Sequence, residues 1–74
     1  MCLAFPMMIR QRTGEAAVVE AEGVQREISL ALLPDAAPGE WVLVHAGFAI
    51  GRIDEGEAAE LLAMLREMAE AAEP

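Results

Sequence analysis

The sequence predicts a mainly β protein, a small OB-like five-stranded β-barrel with a C-terminal α-helix. Short apolar and β-branched runs recur up to Ile53, each bounded by a turn that contains glycine. After Asp54 the apolar residues recur instead at steps of three and four, which is typical of a helix. A chain of 74 residues holds one core. We therefore expect a single domain over residues 1–74, with the barrel at about 1–53 and the helix at about 54–72.

The first three strands are expected to form an antiparallel meander. An extended segment over residues 7–12 ends at the turn signal Thr13-Gly14, and Ala16-Ala17-Val18-Val19 follows as the second strand. Glu22-Gly23 favours a tight hairpin, because glycine tolerates positive φ. The third strand runs from Val24 to Leu30 and alternates between an apolar and a polar face. Its apolar face carries Val24, Ile28 and Leu30, together with Arg26.

Residues 31–40 interrupt this pattern of strands. Ala31-Leu32-Leu33-Pro34 is too short for a helix and ends at a proline, so it predicts a single apolar turn that plugs the core. Pro38-Gly39 predicts a second turn, since proline presets φ and glycine supplies a positive φ.

The last two strands are expected to form a hairpin. Trp41-Val42-Leu43-Val44-His45 is the most strand-like run of the chain, because it is rich in β-branched and aromatic residues. Ala46-Gly47 predicts the turn, and the segment from Phe48 to Ile53 returns as the fifth strand. Gly51 inside that strand indicates a bulge or a bend, as at the corner of a barrel.

Asp54 is expected to begin the helix. Its carboxylate can accept hydrogen bonds from the free N–H groups of the first turn, and Glu57 three residues later completes a pair that resembles a capping box. We expect the first half of the apolar stripe to pack on the barrel and the last turn to fray. The stripe consists of Ala58, Leu61, Leu62, Leu65, Met68, Ala69 and Ala72.

The composition excludes several classes of function. The net charge is −8, and there is no basic face to neutralise phosphates, which argues against nucleic acid and anionic membranes as partners. One Trp, two Phe and no Tyr do not provide the stacking platforms that nucleic-acid-binding barrels use. No apolar run approaches the roughly 18 residues of a membrane span, and no signal peptide is visible. We expect a cytoplasmic protein.

Cys2 and His45 are the two residues whose chemistry goes beyond surface charge. If Met1 is removed, Cys2 carries both an α-amine and a thiol, and its thiolate is a nucleophile and a soft metal ligand. The alternative is an incidental residue on a frayed terminus. His45 ends its strand and shares a face with Trp41 and Leu43. Its alternative role is that of a half-buried histidine bonded to a backbone carbonyl.

Together, a thiolate and an imidazole suit a late first-row metal such as iron. Two protein ligands are too few for a closed structural site of the zinc type, which takes four. They can hold a metal fragment whose other positions are already filled, and then release it. Covalent catalysis by a Cys–His pair is the rival interpretation, but no supporting acid or oxyanion loop accompanies the pair. We predict no catalytic residues and no enzymatic activity.

Two segments of the chain resemble a known family. Met1-Cys2-Leu3-Ala4-Phe5-Pro6 resembles the start of the HypC/HupF family of nickel–iron hydrogenase maturation chaperones. Gly39-Glu40-Trp41-Val42-Leu43-Val44-His45-Ala46-Gly47-Phe48-Ala49-Ile50 resembles the second signature of that family, and the stretch from Gly23 to Leu30 fits its middle strand. The two motifs occur in the right order and at the right spacing, which makes the resemblance highly specific.

The resemblance implies a scaffold without turnover of its own and without a permanent cofactor. It implies a HypD-type iron–sulfur maturation protein as one partner, with which the chain would hold an iron carrying cyanide and carbon monoxide. The hydrogenase large-subunit precursor would then receive this iron. Cys2 would be an iron ligand and a thiol contact to the precursor, and His45 the second group near the iron. An apolar partner-binding surface would be formed by Cys2, Leu3, Ala4, Phe5 and Pro6.

Two alternatives to this interpretation stay open. For Phe5 and Pro6, the alternative is ordinary packing of the first strand. For the whole protein, the alternative is an adaptor that binds protein partners through the barrel rim or the acidic helix without any metal. A Cys2→Ala variant separates the two functions, because only the iron-handling function needs the thiol.

Overall fold

The computed structural model of the chain describes residues 4–71 and confirms the predicted fold class. Five strands form a closed barrel, and a single helix follows the fifth strand. The first strand is longer than predicted because it begins at Phe5, and the helix begins one residue after Asp54. The elements are β1 (Phe5–Thr13), β2 (Ala16–Ala21), β3 (Val24–Ser29), β4 (Trp41–His45), β5 (Phe48–Ile53) and α1 (Glu55–Ala71). In the described part of the chain, no helix is both long and apolar enough to cross a membrane.

The barrel closes in the order β1-β2-β3-β5-β4. β1, β2 and β3 form the predicted meander, and β4 returns to pair antiparallel with β1, with Phe5 opposite Val44. β3 and β5 run parallel and share one register pair, Ser29 with Phe48. The Ser29 N–H donates to the Gly47 carbonyl at 2.9 Å and strengthens this junction. β1 is therefore paired along both edges, whereas β3 meets β5 only at its end.

Both predicted two-residue hairpin turns are present. Glu22 and Gly23 have φ of 53° and 80°, and Ala46 and Gly47 have φ of 54° and 86°. Two successive positive φ values define a type I′ turn, whose twist matches that of the flanking strands. Gly23 and Gly47 favour this turn because glycine adopts a positive φ without steric cost.

The bulge predicted near Gly51 is confirmed. Leu43 pairs with Gly51 and Val44 with Ala49, so Ile50 is an extra residue on β5 and its side chain is exposed. A bulge bends its strand and increases the local twist, which helps a short sheet to close.

A second bulge, in β1, was not predicted. The pairing with β2 passes directly from Ile9 to Gln11, which leaves Arg10 as the extra residue. The bulge lies within the part of β1 that pairs with β2, two residues past Met8, the last residue that pairs with β4.

The predicted core plug over residues 31–34 was wrong in its membership. Leu33 is only partly buried, and Leu32 is 59% exposed. The buried residues of this loop are Leu30 and Ala36. The N–H of Leu33 donates to the Leu30 carbonyl, and the N–H of Ala36 to the Leu33 carbonyl, at 3.0 and 3.1 Å. These turns repeat every third residue and point Leu30, Leu33 and Ala36 inward together.

Arg12 fastens this loop to β1. Its Nη1 donates to the carbonyls of Pro34 and Ala36 at 2.7 and 2.6 Å, and its Nε donates to the carbonyl of Gly14 at 2.7 Å. One guanidinium therefore satisfies three backbone acceptors in a region that has no strand. This side chain fixes the path of the loop, which contributes Leu30 and Ala36 to the core.

The helix begins as predicted at an Asp54 cap. The N–H of Glu57 donates to Asp54 Oδ1 at 2.8 Å, and the N–H of Ala58 to the Asp54 carbonyl at 2.8 Å. The return bond from the Glu57 side chain, which a full capping box requires, is absent among the described residues.

The first half of the predicted apolar stripe packs on the barrel, as expected. Ala58 is fully buried, and Leu61, Leu62 and Leu65 are half-buried. Met68 was expected to continue the stripe but is exposed, because the helix extends past the barrel in a molecule of 42 × 22 × 22 Å. The side chain of Ala69 and the whole of Ala72 lie outside the described part.

Candidate functional site

The N-terminal motif leads directly into β1, and its described residues differ in exposure. Cys2 and Leu3 lie outside the described residues. Ala4 and Pro6 are buried against the barrel, whereas Phe5 between them is 51% exposed. Phe5 pairs with the buried Val44 and shares its inward face, so its ring is exposed because it lies at the mouth of the barrel. Phe5 is thus the described member of the motif that a partner can contact.

His45 is the last residue of β4 and is exposed on the outer face of the barrel. Val42 and Val44 alternate with it and point into the core. Among residues 4–71 there is no hydrogen-bond partner for its imidazole, so the alternative of a half-buried histidine bonded to a carbonyl is wrong. Phe48, 43% exposed, lies opposite it on β5. The ring nitrogens are free to meet a ligand from outside.

The strand register relates His45 to the beginning of the chain. Phe5, the first residue of β1, pairs with Val44, which directly precedes His45 in β4. Cys2 lies outside the described residues, so the pairing of Cys2 and His45 as metal ligands stays a prediction.

Three or more His, Cys, Asp or Glu side chains do not cluster in metal-binding geometry anywhere within the described range. The candidate site consists of the exposed imidazole of His45 and the exposed ring of Phe48 beside it on the outer face, whereas Phe5 lies on the inward face with Val44.

A groove of about 610 Å³ opens at the same end of the barrel, between the barrel mouth and the helix. Sequence patterns did not predict it. Its apolar wall includes Phe5, Met7, Val24, Val44, Leu62 and Leu65. Arg26 also lines it, and an ion pair between Glu22 and Arg66 ties the β2–β3 turn to the helix at its rim. The feature of the sequence that pointed to this groove was Arg26 on the otherwise apolar face of β3.

A smaller hollow of about 230 Å³ lies at the start of β4 and includes Glu40 and Arg52. The N–H of Ala37 donates to Glu40 Oε1 at 2.8 Å, and this bond is the main cause that holds the pKa of Glu40 below its ordinary value of 4.5. Desolvation opposes the shift, and the Arg52 guanidinium at 3.4 Å adds to it. The carboxylate of Glu40 thus already has its partners and holds the 37–40 turn in place.

Comparison with known proteins decides the family. A family model described as the HupF/HypC family matches residues 1–65. The chain belongs to the HupF/HypC family. The resemblance noted from the two sequence motifs is thereby confirmed.

Relatives in this family are similar over almost the whole chain. The "Hydrogenase maturation factor HypC" of Cupriavidus necator is 44% identical over 69 residues, which cover 92% of this chain and 77% of the relative. The protein of the same name from Azotobacter chroococcum is 42% identical over 99% of this chain and 88% of its own length. The "Hydrogenase maturation factor HybG" of Escherichia coli K12 is 39% identical over 92% of each chain.

The part of the chain that matches the HupF/HypC model coincides with the packed part of the fold. Residues 1–65 contain the barrel and the helix up to Leu65, the last half-buried leucine of α1. Both sequence motifs, with Cys2 and His45, also lie inside it. The exposed Met68 lies beyond the match. The matched segment thus ends close to where the helix leaves the barrel.

Proposed function

We propose that this chain is a hydrogenase maturation chaperone of the HypC and HybG type, working in the cytoplasm and without catalytic activity of its own. The observation that carries the proposal is the family match over residues 1–65, together with 39–44% identity to three hydrogenase maturation factors. The chemistry of the chain is consistent with it, since Cys2 and His45 offer a soft and a borderline ligand.

The finer step of the proposal concerns the iron that the chaperone handles. With a HypD-type iron–sulfur protein as partner, Cys2 and His45 would hold an iron that already carries cyanide and carbon monoxide. Because these carbon ligands occupy part of the coordination sphere of the iron, a thiolate and an imidazole suffice to bind it transiently. The exposed, unbonded imidazole of His45 supports this step. The iron is cargo, and it would pass to the precursor of the nickel–iron hydrogenase large subunit.

Partner contact would centre on the N-terminal motif. Cys2 would contact the precursor through its thiol, and Leu3, Ala4, Phe5 and Pro6 would surround that contact. Phe5 supports this step as an exposed ring, whereas the buried Ala4 and Pro6 would act by fixing the path of the chain into β1. Aromatic anchors of this kind often carry a large share of binding energy.

A complementation experiment tests the proposal. Wild-type protein, Cys2→Ala and His45→Ala are each expressed in a host that lacks its own copy, and iron in the purified large-subunit precursor is measured. We expect iron-free precursor and inactive hydrogenase with Cys2→Ala, although the variant folds normally by circular dichroism. The wild-type protein, purified with its iron–sulfur partner, should show infrared bands of bound cyanide and carbonyl.

The metal-independent adaptor is the second candidate, and the exposed rings of Phe5 and Phe48 favour it specifically. An adaptor tolerates Cys2→Ala and loses activity when these rings are truncated. Normal iron content with Cys2→Ala, combined with loss of precursor binding for Phe5→Ala, would therefore replace the iron-handling proposal with this one.

A further inference from the structure

β3 has an open edge beside the groove. All six of its residues pair with β2, but only Ser29 has a partner on β5. The Ser29 N–H points towards β5, where it donates to Gly47, while the N–H of Leu30 points the other way, to Glu15. Since these directions alternate along a strand, the backbone groups of Gln25 and Glu27 point to the open edge. No strand among residues 4–71 covers them.

Arg26 adds a positive charge to this edge. Its side chain shares a face with Val24 and Ile28. Ile28 is buried in the core, whereas Val24 and Arg26 lie nearer the barrel mouth and line the groove. In the described part of the chain, Arg26 has neither an ion pair nor a hydrogen bond. The other charged groups of the groove, Glu22 and Arg66, are paired with each other. Arg26 therefore places a positive charge without an acidic partner among the apolar side chains that line the groove.

We propose that this groove and the open edge of β3 bind an extended segment of a partner protein that carries a carboxylate opposite Arg26 and a large apolar side chain two residues away, beside Val24. The segment adds a strand: its backbone pairs with Gln25 and Glu27, and alternate side chains enter the groove. The positive charge selects an acidic side chain because an Arg–carboxylate pair forms two parallel hydrogen bonds. The inference goes beyond the proposed function, since it rests on β3 and the groove alone.

The charges on β3 favour such a partner over a second copy of this chain. Residues that are directly opposite in a sheet share a face. Antiparallel pairing of two β3 edges would therefore set Arg26 against Arg26, Val24 or Ile28 of the other copy, because Glu27 points to the opposite face. Self-pairing leaves the guanidinium without an acid, whereas the proposed segment supplies one.

Peptide selection on the full-length protein tests the inference. A library of random short peptides is panned on the immobilised chain, and an enriched peptide is synthesised for calorimetry. We expect enriched peptides to carry an acidic residue with a large apolar residue two positions away. Arg26→Ala should weaken binding about tenfold or more, as expected for a hydrogen bond to a charged group. Arg10→Ala is the matched control, because Arg10 lies outside the groove, and it should leave binding unchanged.

Two further measurements identify the binding mode. Arg26→Glu should bind a peptide whose acidic residue is replaced by lysine, and bound peptide should slow amide hydrogen exchange at Gln25 and Glu27. The inference is overturned if no peptide is enriched, if enriched peptides lack the acidic residue, if Arg26→Ala binds as tightly as the wild type, or if the two amides stay unprotected. A dimer that forms through this edge in sedimentation experiments would also overturn it.

Discussion

Phe48 lies directly opposite His45 in the β4–β5 hairpin, one residue beyond the type I′ turn. Both side chains are exposed on the outer face of the barrel. Directly opposite residues have Cβ atoms about 4.5–5.5 Å apart, so a group that reaches the imidazole also touches the ring. The hairpin presents a polar ligand and an apolar contact together.

Replacing Phe48 with alanine should weaken binding to the hydrogenase precursor about tenfold, because exposed aromatic residues beside a site often act as anchors. Stability should change little, since the side chain is already 43% exposed. Binding is measured by surface plasmon resonance and stability by thermal unfolding. Leu32→Ala, which truncates a 59% exposed residue in the 31–34 turn, is the control and should bind normally. Equal affinity of both variants would contradict a role for the ring.

Arg12→Ala should lower the free energy of unfolding by about 2 kcal/mol, because it removes hydrogen bonds from a charged donor to the carbonyls of Pro34 and Ala36. Arg12→Lys should recover only part of this, since one ammonium cannot reproduce the guanidinium fork. Urea unfolding measures both. Arg10→Ala breaks an exposed ion pair at 3.3 Å and should cost under about 1 kcal/mol. If Arg10→Ala and Arg12→Ala lowered the free energy of unfolding by similar amounts, the hydrogen bonds from Arg12 to the 30–36 loop would contribute little to stability.

Asp54→Ala should destabilise the protein by about 1 kcal/mol, because the N–H of Glu57 loses its acceptor at the start of the helix. Asp54→Asn keeps an oxygen acceptor and should retain most of the stability. The midpoint of thermal unfolding, followed by circular dichroism at 222 nm, distinguishes the two. If both variants lose the same stability, the negative charge rather than the hydrogen bond is what matters.

Glu40→Gln should destabilise the protein at neutral pH but not in acid. The folded pKa of Glu40 lies below the ordinary 4.5, so its ionised form contributes stability that is fully present above 4.5 and is lost as the pH falls through the folded pKa. Melting temperatures of wild type and variant, measured from pH 7 to pH 3, should therefore converge at the acid end. A gap that stays constant over this range would mean that the charge of Glu40 does not stabilise the 37–40 turn.

Local signals made most of the fold predictable from the sequence. Gly23 and Gly47 each follow a residue with positive φ in a two-residue turn, and such turns set strand register without help from distant residues. The alternation along β4 likewise placed His45 on one face with Trp41 and Leu43, and Asp54 marked the start of the helix. Each of these features depends on neighbours within four residues.

Features that depend on strand order could not be predicted in this way. The groove and the open edge of β3 exist because β3 meets β5 at one register pair, Ser29 with Phe48, which no local pattern encodes. The inward residues of the 30–36 loop follow from the Arg12 clamp, a contact between segments more than twenty residues apart. At the site, the exposure of Phe5 and the burial of Pro6 required the closed barrel.

The pairing of Phe5 with Val44 has a consequence for how the protein is made. While the chain is being translated, the first half of β1 emerges before the strand that will hold it. At about 5–20 residues per second, the roughly 40 residues between these partners take on the order of 2–8 s to synthesise. During that interval the first half of β1 has no β4 to pair with, so the barrel can close only after Val44 and its neighbours have been synthesised.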